Sequence, residues 1–112
     1  NRSVALTCAF SPFLPEMKDR LAVDLAALAA SILRAVPGKA VFLSGGDTAL
    51  AVGTALDIPG IQVYGEVEPG VPAGLFAGGH PVRVVTKAGG FGTETAIIKS
   101  LLYLEKGIFN AQ

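Results

Sequence analysis

The sequence predicts an α/β fold: a Rossmann-like, mostly parallel sheet with flanking helices and glycine-rich turns that lead from strand into helix. Three observations predict it. Short runs rich in β-formers alternate along the chain with segments whose apolar residues recur at helical spacing, the pattern of strands joined through helices. Two of the strand runs end in paired glycines that precede a helical segment, at Gly45-Gly46 and at Gly89-Gly90. The 112 residues are 51% hydrophobic and 16% charged, enough apolar side chain for one compact domain with a core of its own.

Taken in order, residues 1–15 read as a connecting strand, over 3–9, followed by a linker whose Pro12 and Pro15 fit neither a sheet nor a helix interior. A helix starts near Pro15 or Glu16. Its Met17, Leu21, Leu25, Leu28 and Ile32 make one apolar stripe, and Pro37-Gly38 ends it. Residues 40–43 form a strand, Gly45-Gly46 a tight turn, and residues 47 to about 56 a helix. Gly53 inside that helix costs about 1 kcal/mol relative to Ala and is expected to allow close packing against a strand. Asp57-Ile-Pro-Gly60 is a turn, and the alternation over 61–67 predicts a half-exposed or edge strand. Residues 68–81, with Pro69, Pro72, Pro81 and four glycines, read as a long loop. Residues 82–86 are the last strand. Thr93 then caps a helix whose Ile97, Ile98, Leu101, Leu102 and Leu104 form the buried face.

Composition excludes several functions. A net charge of zero, from 9 basic and 9 acidic residues without a basic run, lacks the footprint of a nucleic-acid binder. No apolar run approaches about 18 residues and the first residues lack a signal peptide's apolar region, so no membrane attachment and a cytoplasmic location are expected. The single cysteine, Cys8, cannot make an internal disulfide and reads as a buried structural thiol. The single histidine, His80, reads as a solvated loop residue, and no metal-ligand constellation is expected. A chain that begins at Asn1 rather than Met reads as a piece of something longer.

The glycine turns carry the chemistry. The first N–H groups of a helix lack intrahelical partners and sit at the positive end of its dipole, and glycine lets an oxyanion approach the backbone closely. Neither G-x-G-x-x-G nor G-x-x-x-x-G-K-[ST] is present, so one glycine pair alone reads equally as a plain structural turn. Two such turns at the carboxyl ends of parallel strands are placed to face one ligand, and phosphate is the expected guest.

The segments Leu43-Ser-Gly-Gly-Asp-Thr-Ala49, Gly65-Glu-Val-Glu-Pro-Gly-Val-Pro72 and Thr86-Lys-Ala-Gly-Gly-Phe-Gly92 resemble, in that order and spacing, the C-terminal nucleotide-binding domain of the four-carbon acid sugar kinases. The match spans roughly residues 28–104. It implies that residues 1–112 are a single nucleotide-binding domain, the C-terminal part of an ATP-dependent kinase acting on threonate, erythronate or 3-oxo-tetronate. It further implies that Gly45, Gly46, Asp47 and Thr48 surround the ATP phosphates while Gly89, Gly90 and Gly92 form the opposing loop. Asp47 has two readings, capping its own helix or holding Mg²⁺ through water. Lys87 either neutralises a phosphate or is a solvated strand end. Glu66 either lines the cleft or faces outward. Sugar-acid contacts and catalytic residues would lie on a missing N-terminal domain, so this piece alone is expected to bind nucleotide without turnover. Apolar surface would then be exposed where that domain docks, and a homo-oligomer is compatible with it. The alternative is a stand-alone nucleotide- or phosphate-binding module without catalysis.

Overall fold

The computed structural model describes residues 5–6, 18–36, 40–77 and 82–106. The strand expected over 3–9, the linker through Pro15, Met17, Cys8 and His80 lie outside these, apart from Ala5 and Leu6, which are in neither helix nor strand. The elements are α1 (Lys18–Ala35), β1 (Ala40–Ser44), α2 (Gly46–Ala55), β2 (Ile61–Glu68), β3 (Val71–Phe76), β4 (Arg83–Lys87) and α3 (Ala96–Lys106).

The four strands form one sheet in the order β1-β4-β3-β2. β1 pairs with β4 in parallel, from Ala40 opposite Arg83 to Ser44 opposite Lys87. β3 is antiparallel to both β4 and β2. Three strands therefore share a direction and β3 opposes them, so the α/β class holds while the sheet is mixed.

The strand β3 occupies residues 71–76 of the loop expected over 68–81. Pro72 and Gly74 gave that stretch its loop-like composition, and the structure accommodates both. Pro72 sits opposite Glu66 of β2, whereas the ladder to β4 uses only Ala73, Gly74 and Leu75. Its missing N–H therefore interrupts no bond to the central partner. Gly74 lies where β2 runs against β3, next to a register shift between Val63 and Gly65. A Cβ on Gly74 would collide with the Gln62 carbonyl oxygen and lie 2.8 Å from its carbon and 2.9 Å from Val63 Cα.

Alternate residues of each strand point to opposite faces, and each face carries a core. On one, Val71, Ala73 and Val85 pack with Ala96 and Leu104 of α3. On the other, Leu43, Val84 and Phe76 pack with Ala26 of α1 and Val52 of α2. Val71, Val84 and Val85 are completely enclosed, each contributing about 1.5–3 kcal/mol of burial.

The helices bury mostly small residues where large ones were expected, with Leu104 the expected large residue that is buried. In α1 the innermost positions are Ala26 and Ala30, while Leu28 and Ile32 are exposed. In α3 they are Ala96, Ser100 and Leu104, one every fourth residue, while Ile97, Ile98, Leu101 and Leu102 are exposed. Short side chains bring a helix axis closer to its neighbour, so the alanine-lined side packs inward and the large residues cover the outside. Arg34 Nη2 donates to Ala55 O at 2.7 Å, satisfying a carbonyl at the end of α2 and fixing α1 against it.

The expected turn after α2 is present. Asp57 takes φ 58, and the N–H groups of Asp57 and Ile58 return to the carbonyls of Thr54 and Gly53 at 3.0 and 2.9 Å. This paired closure ends the helix. Gly53 meets this turn and not a strand: a Cβ there would have Ile58 O at 3.9 Å as its neighbour.

Candidate functional site

The mixed sheet sends the carboxyl ends of β1, β4 and β2 to one edge, at Ser44, Lys87 and Glu68. Because β1 and β4 are adjacent and in register, the two glycine turns leave the sheet side by side. They are also bonded at the root: Gly45 N–H donates to Lys87 O at 2.7 Å. Gly45 carries φ 99 and ψ 134, a conformation that side-chain-bearing residues rarely take, and its carbonyl accepts from Ala49 N at 3.1 Å. That bend drops the chain directly into α2.

The positive φ of the first turn belongs to Gly45. Gly46 is the first residue of α2 and a Cβ there would meet nothing within 4 Å. Gly45 occupies the capping position and no side chain caps the helix. Asp47, in the first helical turn, therefore does not do the capping, and its carboxylate is exposed. Thr48 Oγ1 lies over Gly45, 3.5 Å from where a Cβ would stand.

The second turn is closed by Phe91 N–H donating to Ala88 O at 3.1 Å, with Gly89 and Gly90 at its tip and open space where their Cβ atoms would be. Lys87 Nζ lies 3.5 Å from Ala88 O, a weak contact that leaves the ammonium at the edge of the sheet. Gly92 differs from the other glycines. It has φ 88, and a Cβ there would be hemmed in by Val71 Cγ2 at 3.1 Å and Ala96 Cβ at 3.2 Å. The structure thus gathers Gly45, Gly46, Asp47, Thr48, Lys87, Gly89 and Gly90 along one edge, while Gly92, itself exposed, lies against Val71 and Ala96 where a side chain would not fit.

A shallow apolar depression of about 230 Å³ beside α2 and the start of β2, lined by Leu50, Gly53, Ile58, Ile61 and Phe76, gathers no charged group. Among the described residues no three His, Cys, Asp or Glu side chains come together as a metal site, and no helix is long and apolar enough to cross a membrane.

A family model described as a nucleotide-binding C-terminal domain matches residues 7–97. The chain belongs to this family. Among relatives, this nucleotide-binding domain is 34% identical over 93 residues to a D-threonate kinase of Salmonella typhimurium and 43% identical over 84 residues to a D-threonate kinase of Bordetella bronchiseptica. It is 36% identical over 112 residues to a D-erythronate kinase of Heliobacterium modesticaldum. These alignments cover 81%, 73% and 96% of the chain but 22%, 21% and 25% of the relatives, so the chain spans a quarter of their length or less. A crystal structure of a domain of unknown function from Bordetella bronchiseptica, with bound citrate and as a domain-swapped dimer, superimposes with a TM-score of 0.69 at 43% identity, covering 73% of this chain and 21% of that one. The relatives are named as four-carbon acid sugar kinases, and the resemblance carried by the G-G-D-T-A and K-A-G-G-F-G segments is borne out.

In this family member the acidic residues of the β2–β3 hairpin divide their work. Glu66, exposed, accepts from Gly70 N–H at 3.0 Å through Oε2 and so braces the hairpin turn. Glu68, which the sequence reading passed over, reaches the second glycine turn. Its Oε2 accepts from Thr93 N–H, its Oε1 accepts from Thr93 Oγ1 at 3.1 Å, and Lys99 Nζ lies 3.3 Å from Oε1. Thr93 is accordingly not a helix cap: α3 starts at Ala96, and the Thr93 N–H serves Glu68. The one available signal was an acidic residue directly before Pro69-Gly70, at the strand's carboxyl end.

The Glu68 carboxyl is held below the ordinary value of 4.5, chiefly by the Thr93 backbone N–H, against the opposing loss of hydration and with help from the Thr93 hydroxyl and Lys99. A carboxylate with a depressed folded pKa contributes stability that is complete above the unfolded value and lost as pH falls through the folded one. Thermal stability should therefore decline below pH 4.5 partly through this group, and Glu68→Gln should flatten that part of the decline. Melting temperatures of both proteins across the acid range measure it; identical acid slopes would refute the assignment.

Proposed function

We propose that this chain is the ATP-binding domain of a kinase that phosphorylates a four-carbon sugar acid of the threonate, erythronate or 3-oxo-tetronate class. The observation that carries the reading is the pair of glycine turns at the carboxyl ends of neighbouring parallel strands, joined by Gly45 N–H to Lys87 O at 2.7 Å. Such an edge, beyond the carboxyl ends of the strands, is where α/β sheets place their ligands. The open space over Gly46, Gly89 and Gly90 suits bulky phosphate oxygens approaching the backbone.

In this reading the amino end of α2, with Gly46 and the Thr48 hydroxyl, donates to one part of the triphosphate, and Gly89 and Gly90 to another. Lys87 neutralises phosphate charge. Mg²⁺, which spreads the negative charge of the transferring phosphoryl group, suits a site with one free carboxylate, since it is usually held by one or two carboxylates, waters and the phosphates themselves. Asp47 would hold it through water. Gly92 has the distinct task of turning the chain into the support of α3. The sugar acid, and the base that takes its hydroxyl proton, are assigned to an N-terminal domain, and location in the cytoplasm follows from the ATP requirement.

Calorimetric titration of Mg-ATP into the 112-residue chain tests the reading, with Thr48→Val alongside. Binding should be seen and should weaken by about 1–3 kcal/mol in the variant, the cost of leaving a phosphate oxygen short of one donor. Absence of binding at millimolar Mg-ATP would overturn it. The second reading, a binding module without catalysis, differs in one outcome: ATP would bind, and the parent kinase assembly would leave the four-carbon acids unphosphorylated.

A further inference from the structure

We infer that Glu68 is a positioning residue that sets the second glycine turn in its ligand-ready place, with Lys99 as its counterion and Phe91 as its second point of fixation. This rests on the nucleotide reading for its purpose, though its geometry stands independently. A loop tipped by two adjacent glycines has more backbone freedom to lose than any other sequence, and ordering it on ligand binding costs affinity unless the order is already present. The fold orders it from outside. Behind the turn, the hairpin end places Glu68 so that one carboxylate takes both the N–H and the hydroxyl of Thr93. The Glu68 side chain is only 8% exposed, so the carboxylate is largely covered although its partner Thr93 lies at the surface.

Ahead of it, the Phe91 ring lies on Gly70, where a Cβ would come within 2.8 Å of Cδ1. Gly70 is at φ 85, so hairpin and loop interlock through a position that both the backbone and the ring reserve for glycine. Gly89 and Gly90 are thus held between two fixed points, Ala88 at the end of β4 and the Phe91–Thr93 segment on the hairpin.

The charge arrangement fits the same purpose. A bare carboxylate beside an anion site would repel the ligand. Lys99 Nζ at 3.3 Å and the two Thr93 donors leave Glu68 compensated, so it can anchor the loop without setting its charge against phosphate.

The test uses amide hydrogen exchange by NMR on the 112-residue chain, together with Mg-ATP titration. In Glu68→Gln, exchange at Thr93 and Phe91 should accelerate by about tenfold or more while Val84 and Val85 in the core keep their protection. Mg-ATP affinity should fall severalfold. Unchanged exchange at Thr93, or equal acceleration in the core, would overturn the inference, the second because it would mark a merely structural role. Should Glu68→Gln fail to fold, Thr93→Val, which removes the hydroxyl contact alone, gives the same readout with a smaller expected acceleration. If the unmodified chain binds no Mg-ATP, the nucleotide reading fails while exchange still decides the anchor; if it binds and Glu68→Gln binds equally well, the positioning role fails alone.

Discussion

Gly74→Ala should destabilise the protein by more than about 4 kcal/mol, at the extreme of what single substitutions do. The added methyl group would be directed into the Gln62 carbonyl, with Gln62 C at 2.8 Å and Val63 Cα at 2.9 Å, and every one of these atoms is backbone. A flexible side chain can turn aside; a paired strand cannot. Gly74 also pairs with Val84 on its other side, so β3 cannot retreat without breaking the ladder to β4. Domains of this size are stable by about 5–15 kcal/mol in total, which leaves the variant at best marginal. Urea denaturation followed by circular dichroism measures the loss, and a midpoint close to that of the unmodified chain would mean that β2 and β3 do not approach as described.

Gly46→Val is the complementary case, with a large effect on binding and almost none on folding. Space over Gly46 is open and its φ is not positive: a Cβ there meets nothing within 4 Å beyond its chain neighbours and its own helix backbone. Valine and glycine differ by no more than about 0.5 kcal/mol in helix propensity, so the melting temperature should hold within a few degrees. The branched side chain would instead fill the place proposed for phosphate oxygens. Mg-ATP affinity should drop by at least about a hundredfold, or about 2.8 kcal/mol. Calorimetry with a thermal melt on the same sample checks both halves, and undiminished affinity would remove Gly46 from the cradle. The left-handed backbone of this turn falls on Gly45, so Gly46 is open to a side chain as far as backbone conformation goes.

Elements with one strong local signal were legible in the sequence. The apolar run before Ser44, the alternation from Ile61, the run before Lys87 and both glycine turns all appear where periodicity and punctuation put them. β3 was hidden because Pro72 and Gly74 are loop-forming residues by local rule, and their fit depends on partners that sequence position does not reveal. Helix faces were misassigned for a related reason. Leucine spacing in α1 and α3 is periodic, but periodicity fixes only which residues share a side; here the sides lined by Ala26 and Ala30, and by Ala96, Ser100 and Leu104, pack inward, and of the large residues expected inside α3 Leu104 alone is buried. In the candidate site the glycine turns were readable because glycine marks geometry. Glu68 was not, because its partners Thr93 and Lys99 are far along the chain.

The parallel register of Ser44 with Lys87 bears on how the protein assembles. Strands from distant parts of the chain must meet before the Gly45 N–H finds the Lys87 carbonyl, and the β2–β3 hairpin lies between them in sequence and must already be folded out of the way. Local contacts form early and such long-range parallel pairings late. The edge where the two turns meet is therefore among the last parts of the molecule to take shape. Any partial unfolding that frees β4 dismantles both turns together, so a nucleotide bound there would report on completion of the whole sheet.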